Sequence, residues 1–121
     1  MPETLKVNNE LGIIELRAFG VLKKEEMLQT LEELKRLSAE HGILRLLADV
    51  SAVEHGPSVD ETFEIFSSYP EGMKHAIVSE VPLPPKVVRD VRFIENLSIR
   101  RKRAIGVFDS REDAVRWLVR K

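Results

Sequence analysis

Ile43-Leu44-Arg45-Leu46-Leu47-Ala48 runs straight into Asp49-Val50-Ser51-Ala52-Val53-Glu54-His55-Gly56-Pro57-Ser58, and the reading of this stretch decides the fold. The first half is apolar with a single charge, the composition of a strand covered on both faces of a sheet. The second half is more polar and closes on Gly-Pro-Ser, the chemistry of a loop that hands the chain to a helix N-cap. A central strand is therefore expected over Leu44 to Val50, running out at Asp49, with a loop at 49–58 and a helix from Ser58 to residue 68. In an open α/β sheet, ligands and partners dock at such places, outside the carboxyl ends of the strands.

Outward from this stretch the chain alternates strand and helix signals. Toward the N-terminus, Gly42 is a left-handed stop for a helix over 23–39 whose apolar stripe is Met27, Leu28, Leu31, Leu34 and Leu37. Before it, Leu11 to Phe19 alternates, with Ile14, Leu16 and Ala18 on one face and Ile13, Glu15 and Arg17 on the other. Gly20 is expected to end that strand. Leu5 to Val7 reads as a short edge strand joined to it by turn chemistry at Asn8-Asn9-Glu10, so the two form a hairpin. Toward the C-terminus, Ala76 to Ser79 reads as a strand, and Pro82, Pro84 and Pro85 then break the chain. Val88, Val91, Ile94 and Leu97 give a helix its stripe, Ala104 to Phe108 is a last strand, and Ser110 with Asp113 opens a final helix anchored by Ala114, Trp117 and Leu118. The expected fold class is α/β, ββαβαβαβα, with a mixed, mostly parallel sheet and four helices in one domain over 1–121.

Composition limits the function classes. The chain has 121 residues, 43% hydrophobic and 32% charged, as expected of a folded globular domain. It has no cysteine, which excludes disulfides, thiolate metal sites and thiol nucleophiles and fits a reducing cytoplasm. No signal pattern opens the chain, and no apolar run approaches the roughly 20 residues of a membrane span. Net charge is −1 but unevenly placed: residues 1–85 carry 8 Lys/Arg against 15 Asp/Glu, and residues 86–121 carry 11 against 5. The excess of positive charge centres on Lys86, Arg89, Arg92 and Arg100-Arg101-Lys102-Arg103. That run has no aromatic residue within it, and the chain has only seven aromatics, so base stacking has little to work with. Nucleic acid is not an expected partner.

The layout and three short motifs resemble the STAS family, the anti-sigma-factor-antagonist domains typified by SpoIIAA. Asp49-Val50-Ser51-Ala52-Val53 is similar to the family's Asp-Leu-Ser-x-Val strand end. Ser58 falls where antagonists carry a phosphorylatable serine at the following helix N-terminus, although Pro57 stands where they usually have Asp. Val107-Phe108 through Ala114 and Trp117-Leu118 resembles the ending of the SpoIIAA-like branch, mostly uncharacterised bacterial proteins that are also compared with lipid-binding CRAL-TRIO domains. The resemblance implies a bacterial cytoplasmic module that binds a protein partner and has no cofactor.

Ser58 is thus a candidate for phosphorylation or partner contact, and Asp49, Ser51, Glu54, His55 and Pro57 are candidate contacts of the same loop. In purely structural terms, Ser58 and Glu61 form a capping box. Ser58, His55 and Asp49 can be written as a triad, but the serine lacks a Gly-x-Ser-x-Gly elbow, and a hydrolase is the last alternative. His55 has no second ligand at metal spacing, His41 suits a helix end, and His75 opens a strand with no partner nearby in sequence. The second function is carriage or sensing of a small apolar ligand in a pocket between helices and sheet. Its candidate lining is Phe63, Phe66, Tyr69, Met73 and Phe93, with Val81-Pro82-Leu83-Pro84-Pro85 as a stiff lip; those residues also suit an ordinary core. The first reading is a non-enzymatic, regulatory protein-interaction module docking through the 49–58 loop and the helix after it. An edge hairpin also allows a homodimer.

Overall fold

A computed structural model describes residues 3–100 and 104–120, apart from the side chains of 98–100. The elements come in the order β1 (Glu3–Asn8), β2 (Ile13–Val21), α1 (Lys24–His41), β3 (Arg45–His55), α2 (Val59–Ser67), β4 (Lys74–Val78), α3 (Pro85–Arg100), β5 (Ile105–Phe108) and α4 (Arg111–Val119). The five strands form one sheet in sequence order; β1 is antiparallel to β2 and every later pair is parallel. This is the α/β arrangement expected from the alternation of signals.

Local chemistry explains the boundaries. In the β1–β2 turn, the Leu11 amide donates to Asn8 Oδ1 at 3.1 Å and the Gly12 amide to the Asn8 carbonyl at 2.9 Å. Helix α1 ends at Gly42, whose φ of 66° lets its N–H return to the Ser38 carbonyl. Ser58 and Glu61 make both halves of the capping box at α2. Ser110 makes one half at α4, accepting from the Asp113 amide at 3.3 Å.

Two strands run further than their sequence signals. Gly20 does not end β2: it has φ 69° inside the strand, beside a register shift, and the chain goes on to Val21. β3 does not run out at Asp49 or Val50; it continues to His55, pairing Ala52 with Phe19 and His55 with Val21. The loop expected at 49–58 is therefore only residues 56–58. Polar residues such as Ser51 and Glu54 can sit in this extension because β4 stops pairing with β3 at Asp49 and the ribbon beyond is partly open.

The sheet has two apolar faces. On one, Ile14, Leu16, Ala18, Leu46 and Ala48 meet Leu34 of α1, while Met27, Leu31 and Ile65 join α1 to α2. On the other, Ile13, Leu47, Ala76 and Val78 pack on Ala114 and Leu118 of α4. β3 is thus covered on both sides, as its composition requires. The basic residues at 101–103 and the Arg100 side chain lie outside the described residues.

Candidate functional site

Under α1, α2 and α3 the first face of the sheet does not close completely. A cavity of about 100 Å3 remains between Leu16, Ala18, Ala48 and Ile77 of the sheet, Met27 of α1, Phe66 of α2 and Val91 and Ile94 of α3. The small residues Ala18 and Ala48 line this space and do not fill it. A cleft of about 450 Å3 adjoins it at the carboxyl ends of β3, β4 and β5. Val50, Ile77 and Val91 line both spaces.

The cavity holds polar groups that the rest of its wall does not satisfy. His75, only 2% exposed, has no hydrogen-bond partner on Nδ1 or Nε2 among the described residues. Burial pushes its imidazole down to about 3, so the ring is neutral at ordinary pH. It packs edge-on against Phe66 at 4.8 Å and beside Tyr69 at 5.1 Å, and those two rings lie 5.3 Å apart. Glu3, 8% exposed, has an unpartnered Oε1 among the described residues. Burial raises its carboxyl above the usual range and the like charge of Glu26 adds to this, while the Thr30 hydroxyl acts the other way. Burial also holds the Tyr69 phenol well above its ordinary value, with the Glu3 charge adding to it.

Register places the two orphan groups at opposite ends. Glu3 pairs with Ala18, whereas His75 pairs with Leu46, which sits opposite Ile14. Their backbones are therefore offset by roughly 13 Å along the strands and, three strands apart, by roughly 14 Å across them. Tyr69, in ring contact with His75 and within reach of the Glu3 charge, lies between.

The residues singled out in the sequence are distributed differently from expectation. Phe66 and Tyr69 line the cavity. Phe63 does not and is half-buried; Met73 belongs to the core beside Leu34 and Leu46; Phe93 is 49% exposed. Val81 and Leu83 of the proline-rich connector line the adjoining cleft. Gly56 and Pro57 also line the cavity, so the short loop before α2 touches it. Asp49 accepts from the Ser51 amide at 2.9 Å and Ser51 Oγ accepts from the Glu80 amide at 3.0 Å, while Glu54 and His55 are exposed.

Ser58 is exposed and its hydrogen bonds go to Glu61 and Thr62: its hydroxyl accepts from the Glu61 amide at 3.2 Å and lies 3.1 Å from Glu61 Oε1, and its carbonyl accepts from the Thr62 hydroxyl at 3.0 Å. No hydrogen bond joins it to His55 among the described residues, so the triad with Asp49 is not assembled. Among the described residues no cluster of three His, Asp or Glu is placed to hold a metal ion, and no helix is long and apolar enough to cross a membrane.

Sequence alone does not single out Glu3, and it marks His75 only by the lack of a partner nearby. A signal exists for the first: Glu3, Leu5 and Val7 alternate, so a strand that buries Leu5 and Val7 buries Glu3 too.

No protein-family model and no curated protein matches this chain. Solved structures do. An uncharacterised protein with a SpoIIAA-like fold from Shewanella loihica superposes with a TM-score of 0.66 at 16% identity, covering 96% of this chain and 93% of that one. An anti-sigma factor antagonist from Mycobacterium paratuberculosis gives a TM-score of 0.61 at 16% identity, over the same shares of the two chains. At this identity the likeness carries architecture and no activity. The chain has the SpoIIAA-like α/β fold.

Proposed function

We propose that the protein is a non-enzymatic binding module, one cytoplasmic domain, that senses or carries a small and mainly apolar ligand between its sheet and helices α1–α3. The observation that carries this reading is the apolar cavity with its adjoining cleft. A cavity of about 100 Å3 is close in size to an engineered apolar cavity of roughly 150 Å3 that binds benzene. The adjoining space of about 450 Å3 falls within the range of small-molecule sites, roughly 300–1,000 Å3. A protein that met partners only through its surface has no need of such a void, which forfeits packing contacts.

The test is native mass spectrometry of the freshly purified chain, followed by amide NMR titration with six-carbon apolar probes. Binding in the cavity moves the resonances of Ala48, Tyr69, His75 and Val91 together, and Val91→Trp, which fills the space from α3, abolishes the shifts. Shifts scattered over the surface, unaffected by that variant, would refute the reading.

A second reading is a regulatory module that docks a protein partner through α2. It is favoured by the fold shared with an anti-sigma factor antagonist and by the exposure of Ser58 at the α2 N-terminus. A phosphate there would add nearly two negative charges next to Asp60 and Glu61 and displace the capping contact. Ser58→Asp then changes partner affinity; equal binding by the variant and the unchanged chain sinks the charge switch. Sedimentation of the purified chain separately tests for a homodimer.

A further inference from the structure

We propose that the ligand of this cavity is a small organic cation, a primary amine on a short apolar body, with its ammonium group held by the Glu3 carboxylate. The assignment rests on the ligand-binding reading above and names the chemistry of the ligand.

The wall of the cavity is acidic. Its charged residues are Glu3 and Asp90, and no Lys or Arg lines it among the described residues. His75 adds no positive charge, because its buried ring is neutral. A carboxylate or phosphate ligand would meet two acids and no base.

Glu3 itself is short of a partner. Its Oε1 is buried without one among the described residues, and the neighbouring charge that acts on the carboxyl is Glu26, another acid. The Thr30 hydroxyl acts on the group, but a buried carboxylate with one oxygen left without a donor and no counter-charge among the described residues is costly, and the missing partner must come from elsewhere. An ammonium supplies both at once, in a charge-assisted hydrogen bond roughly twice as strong as a neutral one. An alcohol supplies one donor and leaves the charge uncompensated.

Beyond Glu3 the wall suits a carbon body. Ala18, Tyr69, Phe66 and Ile77 make an apolar and partly aromatic surface. At the far end the neutral His75 ring presents an unpaired acceptor nitrogen, able to take a donor carried on the other end of the ligand. Apart from one imidazole N–H, the unmet polar groups of the described wall call for donors, and a primary ammonium is the richest small donor.

The experiment is a calorimetric titration of the full chain near neutral pH with hexylamine, 1-hexanol and hexanoate, which share one apolar body. The amine is expected to bind about ten- to a hundredfold tighter than the alcohol, with hexanoate weakest. Glu3→Gln, nearly isosteric, is expected to bring the amine down toward the level of the alcohol, with a clearly smaller loss for the alcohol, which has one donor and no charge to be matched. Should that variant fail to fold, Glu3→Asp draws the charge back by one methylene and is expected to weaken the amine more than the alcohol. Equal affinity for amine and alcohol in the unchanged chain, or a preference that survives Glu3→Gln, overturns the amine assignment while leaving an apolar site standing. If no probe binds and a crystal structure finds only ordered water on Glu3 and His75, the amine assignment and the ligand-binding reading fall together.

Discussion

His75 makes stability depend on pH in a window where most side chains do not titrate. Its pKa drops from 6.5 to about 3 in the folded chain, because burial without a hydrogen-bond partner disfavours the imidazolium. Below about pH 6.5 the unfolded chain takes up a proton there that the folded chain refuses. The stabilising contribution is thus complete above the unfolded value and declines as pH falls toward the folded one. Integrated from about pH 7 to about pH 5, the loss is about 2 kcal/mol for this one group, a large share of the margin of a small domain. Glu3 acts in the opposite sense: its pKa is raised in the fold, so protonation there adds stability as pH falls. The contribution of His75 is isolated by comparison with His75→Leu, an apolar side chain of similar reach. Urea unfolding of both chains at about pH 7, 6 and 5 is expected to show the unchanged protein losing about 2 kcal/mol relative to the variant, most of it below about pH 6. Parallel pH curves for the two proteins would refute the argument, because the folded imidazole would then be protonating as freely as the unfolded one.

Single contacts carry further expectations. Ser58→Ala removes the acceptor of the Glu61 amide and is expected to cost about 1 kcal/mol in urea unfolding. Gly106→Ala places a Cβ 2.9 Å from the Phe108 ring and 3.4 Å from Trp117, and overpacking there is expected to cost about 1–3 kcal/mol and lower the melting temperature. Arg111 donates to Glu15 Oε1 at 2.6 Å and holds that carboxyl below its usual range. The stability from Glu15 is present above about pH 4.5 and is lost as pH falls through the depressed value; Arg111→Gln is expected to return the Glu15 carboxyl toward its ordinary range, read by NMR titration.

The candidate site is only partly legible in the sequence. Phe66 and Tyr69 stand out as pocket residues because aromatic residues near a helix end are large enough to line a void. Phe63, on the same stripe, and Met73 and Phe93 are large apolar candidates as well but do not line it. A helical stripe tells which side faces inward, and it does not tell where the inside is empty. Vacancy arises where the small residues Ala18 and Ala48, on neighbouring strands, leave room that the covering helices do not fill, and that depends on register and helix placement together.

Neighbours along the chain settle the local features, and those could be read without a structure. Gly42 adopts the left-handed angle that returns its amide to Ser38, and Ser58 and Glu61 cap each other three residues apart; both are complete within about one helical turn. The alternation over residues 11–19 and the apolar run at 43–48 likewise settle which segments are strands, and with the helical stripes the order ββαβαβαβα. Features that need distant partners came only with the assembled fold. β3 runs through polar Ser51 and Glu54 because Phe19 and Val21 are there to pair with it, across about 30 residues of intervening chain that no local propensity spans. His75 and Glu3 lost water and partners together only when the first strand, the fourth strand and three helices closed over one face of the sheet. Burial is a property of the assembled packing, and burial turns these two ordinary ionisable residues into the most chemically unusual groups of the cavity.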